Sequence, residues 1–124
     1  MKFCTVINCM DGRTQIPVIE YLKRRFKVQY VDSITEPGPN LILAQKDDLH
    51  SVQSILKRLS ISVKKHGSQA IAIVGHYDCA GNPAPKEEQI NHIKEAIKFI
   101  KYYYPDKEVI GLWVNKDWKV KEVK

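Results

Sequence analysis

Along the chain, short apolar runs that are typical of strands alternate with segments in which apolar residues recur at helical spacing. This pattern predicts strands that alternate with helices. Short, nearly continuous apolar runs predict strands, and the run at residues 69–75 is typical of a strand that is buried on both faces. A final run follows a turn at residues 115–117 and is expected to pair back on the strand before it. The predicted strands are, in chain order, residues 2–8, 27–31, 69–75, 108–115 and 118–123.

Three longer segments carry apolar residues at helical spacing. The predicted helices span residues 15–26, 47–66 and 86–104. Asp47 or Asp48 is expected to cap the second helix, and Pro105 stops the third. The apolar stripes of the second and third helices are Leu49, Val52, Leu56, Leu59 and Val63, and then Ile90, Ile93, Ile97, Ile100 and Tyr104. Segment 36–40 contains two prolines and a glycine, segment 82–85 contains two prolines, and both are predicted to be loops.

This alternation predicts an α/β fold, in which residues 1–124 form a single three-layer domain. Its central sheet is expected to be mostly parallel, with about four strands plus an antiparallel C-terminal strand and with helices on both faces. A chain of 124 residues is long enough to bury one core. In sheets of this kind, ligand sites lie at the carboxyl ends of strands, near the point where the strand order reverses.

Composition and charge limit the partners and the compartment. The formal net charge is +6, but the basic residues are spread over three predicted helices and the C-terminus, without an aromatic-rich basic motif. We therefore expect no nucleic-acid partner, and the apolar runs are too short for a membrane span. Three cysteines, an odd number, argue against a disulfide framework. Because the N-terminus also lacks the features of a signal peptide, a cytoplasmic location is expected.

Two polar clusters follow strands that the topology can place side by side. Cys9-Met10-Asp11-Gly12-Arg13 follows the first predicted strand, and His76-Tyr77-Asp78-Cys79 follows the third. If these strands are neighbours, both clusters meet in one crevice. Two thiolates and one imidazole bind zinc well, and a catalytic zinc keeps three protein ligands and one exchangeable position. The alternative is two buried free thiols, a hydrogen-bonded histidine and a plain ion pair at the start of a helix.

The motif Cys9-x-Asp11-x-Arg13 followed by His76-x-x-Cys79 resembles the two-part zinc signature of the β-class carbonic anhydrases. The resemblance implies a Zn²⁺ ion held by Cys9, His76 and Cys79. It also implies that Asp11 and Arg13 form a catalytic dyad. When the dyad is paired, the fourth zinc position is free, and when it breaks, Asp11 can itself become the fourth ligand and close the site.

The function implied by this resemblance is reversible hydration of carbon dioxide to bicarbonate by a zinc-bound hydroxide, in a homodimer or higher homo-oligomer. Members of the family usually begin with helices that wrap a partner subunit, whereas this chain begins at its first strand, so we interpret it as a shortened, divergent relative. In the family, a glutamine binds the substrate oxygen. Gln15 and Gln45 are the nearest candidates for it here.

Three other functions use the same residues. The first is a zinc-binding protein without hydrase activity, in which Asp11 closes the site. The second is hydrolysis of a related small molecule such as carbonyl sulfide or carbon disulfide. The third is a phosphatase or redox enzyme in which Cys9 is the nucleophile and Arg13 binds an anion. Of the intervening residues, Tyr77 is a candidate for lining the pocket, and Asp78 either supports a ligand or simply forms the turn.

Overall fold

The computed structural model describes residues 2–124 and contains one five-stranded sheet and four helices. The elements are, in chain order, β1 (Phe3–Cys9), α1 (Gly12–Phe26), β2 (Tyr30–Glu36), α2 (Pro39–Gln45), α3 (Leu49–Lys65), β3 (Ala70–His76), α4 (Lys86–Tyr103), β4 (Glu108–Val114) and β5 (Val120–Val123). Among these described residues, no helix is both long and apolar enough to cross a bilayer.

The strands are arranged in the order β2-β1-β3-β4-β5. The first four are parallel, and β5 pairs antiparallel with β4, which confirms the predicted sheet. β1 and β3 are neighbours, with Ile7 opposite Ile73. Because these two strands are parallel, the polar clusters that follow them leave the sheet at the same edge. Strand order also reverses between them, as expected for a ligand site.

Helices cover both faces of the sheet, which confirms the three-layer architecture. On one face, α1 contributes Val18 and Leu22 to a buried cluster that includes Cys4, the cysteine expected in the core. On the other face, the remaining three helices contribute Leu43, Ile55, Leu59, Ala96 and Ile100. Every residue of β3 is buried, as predicted for a strand between two layers.

The second strand lies later in the chain than predicted. It covers Tyr30–Glu36 instead of residues 27–31. Lys27 ends α1 in the left-handed conformation, with φ 55°, and its backbone N–H bonds the Lys23 carbonyl. Val28 is buried against the core before the strand begins. The apolar residue that suggested a strand is therefore part of the helix-to-strand connection.

The predicted loop at residues 36–40 is wrong in its second half, because Pro39 starts the short helix α2. Proline fits the first turn of a helix, where its missing N–H would have no partner in any case. Gly38 precedes it in the left-handed conformation, with φ 62°. The same two residue types that mark a loop therefore also begin this helix.

The buried faces of α3 and α4 differ from the predicted apolar stripes. Leu49 is 65% exposed, whereas Ile55 and the polar Ser62 are buried. The Ser62 hydroxyl is paired within the protein, since it contacts the hydroxyls of Thr5 and Ser68 and donates to Asp32. In α4, the buried residues are Gln89, Ile93, Ala96 and Ile100. A polar side chain can be buried where such partners exist, and hydrophobic periodicity does not detect it.

Candidate metal centre

The ends of β1 and β3 bring together the three predicted metal ligands. Cys9 and His76 are the last residues of these strands, and Cys79 follows His76 by one turn. All three residues are buried, and their ligand atoms lie within 4.8 Å of one another. The two sulfur atoms, Cys9 Sγ and Cys79 Sγ, are 3.8 Å apart. This arrangement could hold a metal ion.

The turn between His76 and Cys79 is fixed by its backbone. The Tyr77 N–H donates to the Val114 carbonyl at 2.9 Å, which extends the β3–β4 pairing by one bond. Asp78 then adopts the left-handed conformation, with φ 57°, which aspartate tolerates better than most residues. Together these features reverse the chain and return Cys79 to the end of β1.

The imidazole of His76 presents one nitrogen to this cluster. Its Nδ1 lies 2.7 Å from the Tyr77 carbonyl oxygen. Because a carbonyl only accepts, Nδ1 carries the proton and donates, and in the neutral imidazole Nε2 is left with a lone pair. Within residues 2–124, this fully buried Nε2 has no hydrogen-bond partner. A metal ion would satisfy it, and a histidine ligand typically donates its other N–H in this way.

The two cysteines are set up to share one proton. The hydrogen bond from Cys79 is the largest influence that lowers the pKa of Cys9, and His76 and the backbone amides of Gly38 and Asp11 add to it. The same bond, together with burial, raises the pKa of Cys79. Burial alone would lower the pKa of His76, but the Cys9 thiolate and a backbone carbonyl raise it. The Cys9 thiolate therefore lies next to the His76 imidazole, and each of the two groups favours the charged form of the other.

The donor set and spacing fit zinc. Two sulfurs and one imidazole nitrogen are soft and borderline ligands, which zinc prefers. Sulfurs that lie about 2.3 Å from a tetrahedral zinc are roughly 3.8 Å apart. The distance between Cys9 Sγ and Cys79 Sγ is 3.8 Å, so the two thiols need no rearrangement to bind one ion.

Asp11 and Arg13, the predicted dyad, are paired. Asp11 caps α1, and its Oδ1 accepts from the Arg13 backbone N–H at 2.9 Å and from Nε at 3.1 Å. Its Oδ2 accepts from Nη2 at 2.7 Å. The Arg13 side chain lowers the pKa of Asp11 to about 2, so the carboxylate is ionised at neutral pH. Arg13 also donates to Asp78, through Nη1 to Oδ2 at 3.3 Å and through Nη2 to the carbonyl at 3.2 Å.

A buried glutamine that we did not predict holds the backbone of His76. Gln89 in α4 is 1% exposed, and its Oε1 accepts from the His76 N–H at 3.3 Å. Its Nε2 donates to the carbonyls of His76 at 2.9 Å and Asn82 at 3.1 Å. Asn40 of α2 donates to Gln89 Oε1 at 3.3 Å. The one sequence signal is that Gln89 lies four residues before Ile93, on the face of α4 that packs inward.

The two glutamines considered for substrate binding lie in different surroundings. Gln15 Nε2 donates to the Cys9 carbonyl at 2.7 Å and to the Asp11 carbonyl at 3.0 Å, so it braces the segment between them. Gln45 lies exposed at the end of α2. Tyr77, the candidate pocket residue, lines a cavity of about 460 Å³ together with Trp113.

The chain shares its fold with solved carbonic anhydrases. The carbonic anhydrase from Streptococcus mutans is 18% identical, with a TM-score of 0.66, over 97% of this chain and 81% of that one. β-Carbonic anhydrase isoform I from Trichomonas vaginalis is 18% identical, with a TM-score of 0.62, over 98% and 81% of the two chains. One of two tetrameric β-carbonic anhydrases from Sordaria macrospora is 13% identical, with a TM-score of 0.57, over 98% and 80%. At these identities the likeness establishes the fold.

Sequence comparisons place the chain in a family. A comparison with curated protein sequences gives no significant match. The model of the family described as "Putative carbonic anhydrase", however, matches residues 1–124, which is the full sequence. The chain therefore belongs to this carbonic anhydrase family.

Proposed function

We propose that this protein binds Zn²⁺ through Cys9, His76 and Cys79 and catalyses the reversible hydration of carbon dioxide to bicarbonate. The observation that carries the proposal is the buried Nε2 of His76, which has no hydrogen-bond partner among residues 2–124 and lies beside two cysteine sulfurs that are 3.8 Å apart. When bound, the ion would supply a Lewis acid that lowers the pKa of a water molecule from about 15.7 to about 7.

The protein's contribution begins with the orientation of the three ligands. The hydrogen bond from His76 Nδ1 to the Tyr77 carbonyl fixes the ring and its protonation. Backbone amides of Gly38 and Asp11 stabilise the Cys9 thiolate. The backbone amides of Gly81 and Asn82 likewise act to lower the pKa of Cys79. Backbone N–H groups that face a metal ligand in this way help to orient it.

The role that we propose for Asp11 is to orient water. With a pKa of about 2 it is ionised at neutral pH, and both its oxygens lie on Arg13. It can accept a hydrogen bond from the reacting water and direct that oxygen's lone pair at the carbon of carbon dioxide. A carboxylate with so low a pKa is too weak a base to keep the proton, so proton release requires another group or buffer. Arg13 acts by keeping Asp11 charged and in place.

Homo-oligomerisation is part of the proposal. Three large apolar side chains near the cluster are exposed, namely Met10 at 62%, Ile16 at 68% and Tyr77 at 51%. Exposed apolar side chains of this size are ones that a partner subunit can cover. The Gln15 amide is already used within the chain, so a further donor for the substrate oxygen would come from that partner. A homodimer or higher homo-oligomer would meet both needs.

A cytoplasmic location also belongs to the proposal. Its support is chemical, because the site requires both Cys9 and Cys79 to be reduced, and at 3.8 Å the two sulfurs are close enough to be oxidised together. Reducing compartments maintain such thiols.

Stopped-flow measurement of carbon dioxide hydration between pH 7 and 9 tests the proposal, with rates expressed per bound zinc. The Asp11→Asn variant should lose activity on the order of a hundredfold. The Asp47→Asn variant, which changes an exposed aspartate outside the cluster, should match wild type. A zinc-loaded wild type without hydration at any pH would contradict the proposed reaction. Carbonyl sulfide and carbon disulfide would then be assayed in the same way.

A further inference from the structure

Trp118 lies against two components of the candidate metal centre. The guanidinium carbon of Arg13 is 4.4 Å from the centre of the Trp118 ring. The same ring is 6.3 Å from the imidazole of His76, at a tilt of 47°. Trp118 itself is half-buried and packs on the hydrophobic cluster beneath α1. A residue from the β4–β5 connection therefore covers both the dyad and a candidate ligand.

The turn that carries Trp118 is well fixed. Trp118 has φ 59°, a left-handed conformation that is uncommon for a bulky residue. Its N–H donates to the Asn115 carbonyl at 2.9 Å. The Asn115 side chain then accepts from the backbone N–H groups of Asp117 at 2.9 Å and Lys119 at 3.0 Å. These bonds hold an unfavourable backbone conformation whose result is to place the indole beside Arg13.

Arg13 is consequently restrained on its edges and on one face. Its in-plane N–H groups donate to Asp11 and Asp78, at distances of 2.7 to 3.3 Å. The indole of Trp118 occupies a face of the guanidinium, where a cation–π contact is favourable. Without the indole, the 47% exposed side chain of Arg13 would keep only its edge contacts with Asp11 and Asp78 and would turn towards solvent more often. Asp11 would then be without its partner for more of the time.

A released Asp11 carboxylate would compete for the metal. Asp11 is two residues beyond Cys9, and the Gln15 amide donates to the carbonyls of both residues, so the Asp11 side chain starts close to the cluster. Carboxylates are ordinary zinc ligands, and a catalytic zinc needs one position free of protein ligands. We propose that Trp118 is a positioning residue: by stacking on Arg13 it holds Asp11 on the arginine and so keeps the fourth metal position open. This inference rests on the proposed metal-binding function.

The first test uses the metal-free protein and does not depend on activity. In NMR spectra, the Arg13 Nε–H resonance should be shifted upfield by the indole ring and protected from solvent exchange. Trp118→Leu should remove the upfield shift, whereas Trp118→Phe should keep part of it. Trp113→Phe is the matched control, because Trp113 is buried in β4 and should leave the resonance unchanged. An unchanged Arg13 resonance in Trp118→Leu would overturn the inference.

The second test uses cobalt(II) in place of zinc and azide as a probe for an open metal position. Azide affinity, read from the visible spectrum, should fall on the order of fivefold in Trp118→Leu and recover in Trp118→Phe. It should also recover in the double variant Asp11→Ala/Trp118→Leu, because no carboxylate then competes. A general structural defect would not be rescued by removing Asp11. Normal azide binding in Trp118→Leu, or no recovery in the double variant, would overturn the inference.

The same experiment separates this inference from the proposed function. If wild type binds no cobalt, the metal site itself is wrong and the role of Trp118 at that site fails with it. If wild type binds cobalt and azide, but Trp118→Leu behaves identically, the metal site stands and only the role of Trp118 fails.

Discussion

Gly38 and Gly81 lie in direct backbone contact, and a β-carbon on Gly38 would be 2.6 Å from the Gly81 carbonyl carbon. Conversely, a β-carbon on Gly81 would be 2.4 Å from the carbonyl carbon of Pro37. The two loops that cross here also face the two sulfurs, since the Gly38 amide acts to lower the pKa of Cys9 and the Gly81 amide acts to lower that of Cys79. We therefore expect the close crossing to help set the 3.8 Å spacing of the two cysteine sulfurs.

Substitution of Gly81 by alanine should weaken metal binding. The added methyl group must push the two loops apart, because its nearest neighbours are backbone atoms that cannot rotate away. Loss of the groups that support a metal ligand typically lowers metal affinity 10- to 100-fold. We expect a loss of that order in the zinc affinity of Gly81→Ala. Competition titration with a chromophoric zinc chelator measures it.

Gly12→Ala provides the matched control for this titration. Gly12 also lies beside the cluster, in the first turn of α1, but a β-carbon there would meet no atom of the described part of the chain within 4 Å. Its zinc affinity should equal that of wild type. Equal losses in both variants, or an unaffected Gly81→Ala protein, would contradict the role that we assign to the glycine crossing.

Replacement of Gln89 by leucine should destabilise the protein. The change leaves the backbone groups of His76 and the carbonyl of Asn82 without their partner in a buried region. A buried polar group that loses its hydrogen bond costs about 1–3 kcal/mol. Because more than one group loses its partner, the free energy of unfolding should fall by about 1 kcal/mol or more. Urea denaturation of the metal-free protein measures the change.

Gln53→Leu tests whether the loss is specific to the buried position. Gln53 lies on the exposed side of α3, so its substitution should change the free energy of unfolding by less than about 0.5 kcal/mol. A Gln89→Leu protein as stable as Gln53→Leu would show that Gln89 does not support the His76 segment.

Much of the architecture follows from the sequence because it depends on local patterns. Nearly continuous apolar runs and helical stripes identify strands and helices, and parallel neighbours deliver their carboxyl ends to one edge. That rule is enough to bring Cys9 to His76, although they are far apart in the chain. The helix that begins at Pro39 was not predicted, because proline and glycine occur both in loops and at the starts of helices.

The remaining features depend on contacts between distant segments. Gln89 is buried because Asn40 and the His76 backbone satisfy its amide, and neither partner is visible in the composition of α4. The stacking of Trp118 on Arg13 depends on a turn conformation that residues 115–119 adopt through their own hydrogen bonds. The protonation of Cys9 and Cys79 depends on the distance between their sulfur atoms, which only the folded structure gives.

The stability contributed by Asp11 should depend on pH. Its folded pKa of about 2 lies below the unfolded value of about 3.9, because the carboxylate is paired with Arg13. The stabilisation is therefore present in full above the unfolded pKa and is lost as the pH falls through the folded pKa. The difference in unfolding free energy between wild type and Asp11→Asn, measured without metal, should shrink between about pH 4 and about pH 2.

Arg13 is the group responsible for this pH dependence. In an Arg13→Gln background, the same Asp11→Asn comparison should lose most of its variation with pH, because the guanidinium is the largest influence on the Asp11 pKa. If the difference in unfolding free energy between wild type and Asp11→Asn grew as the pH fell, the result would contradict this account. A carboxylate paired in the folded state contributes less stability at acidic pH.

Zinc K-edge X-ray absorption on protein purified without chelator tests the central claim most directly, together with zinc content per chain. We predict one zinc per chain, with two sulfur ligands at about 2.3 Å and nitrogen or oxygen ligands completing the shell. Cys79→Ala should lose the ion, whereas Cys4→Ala should keep it, because Cys4 is buried in the sheet away from the cluster. Absence of zinc, or a shell of nitrogen and oxygen alone, would contradict the assignment of Cys9, His76 and Cys79 as the metal site.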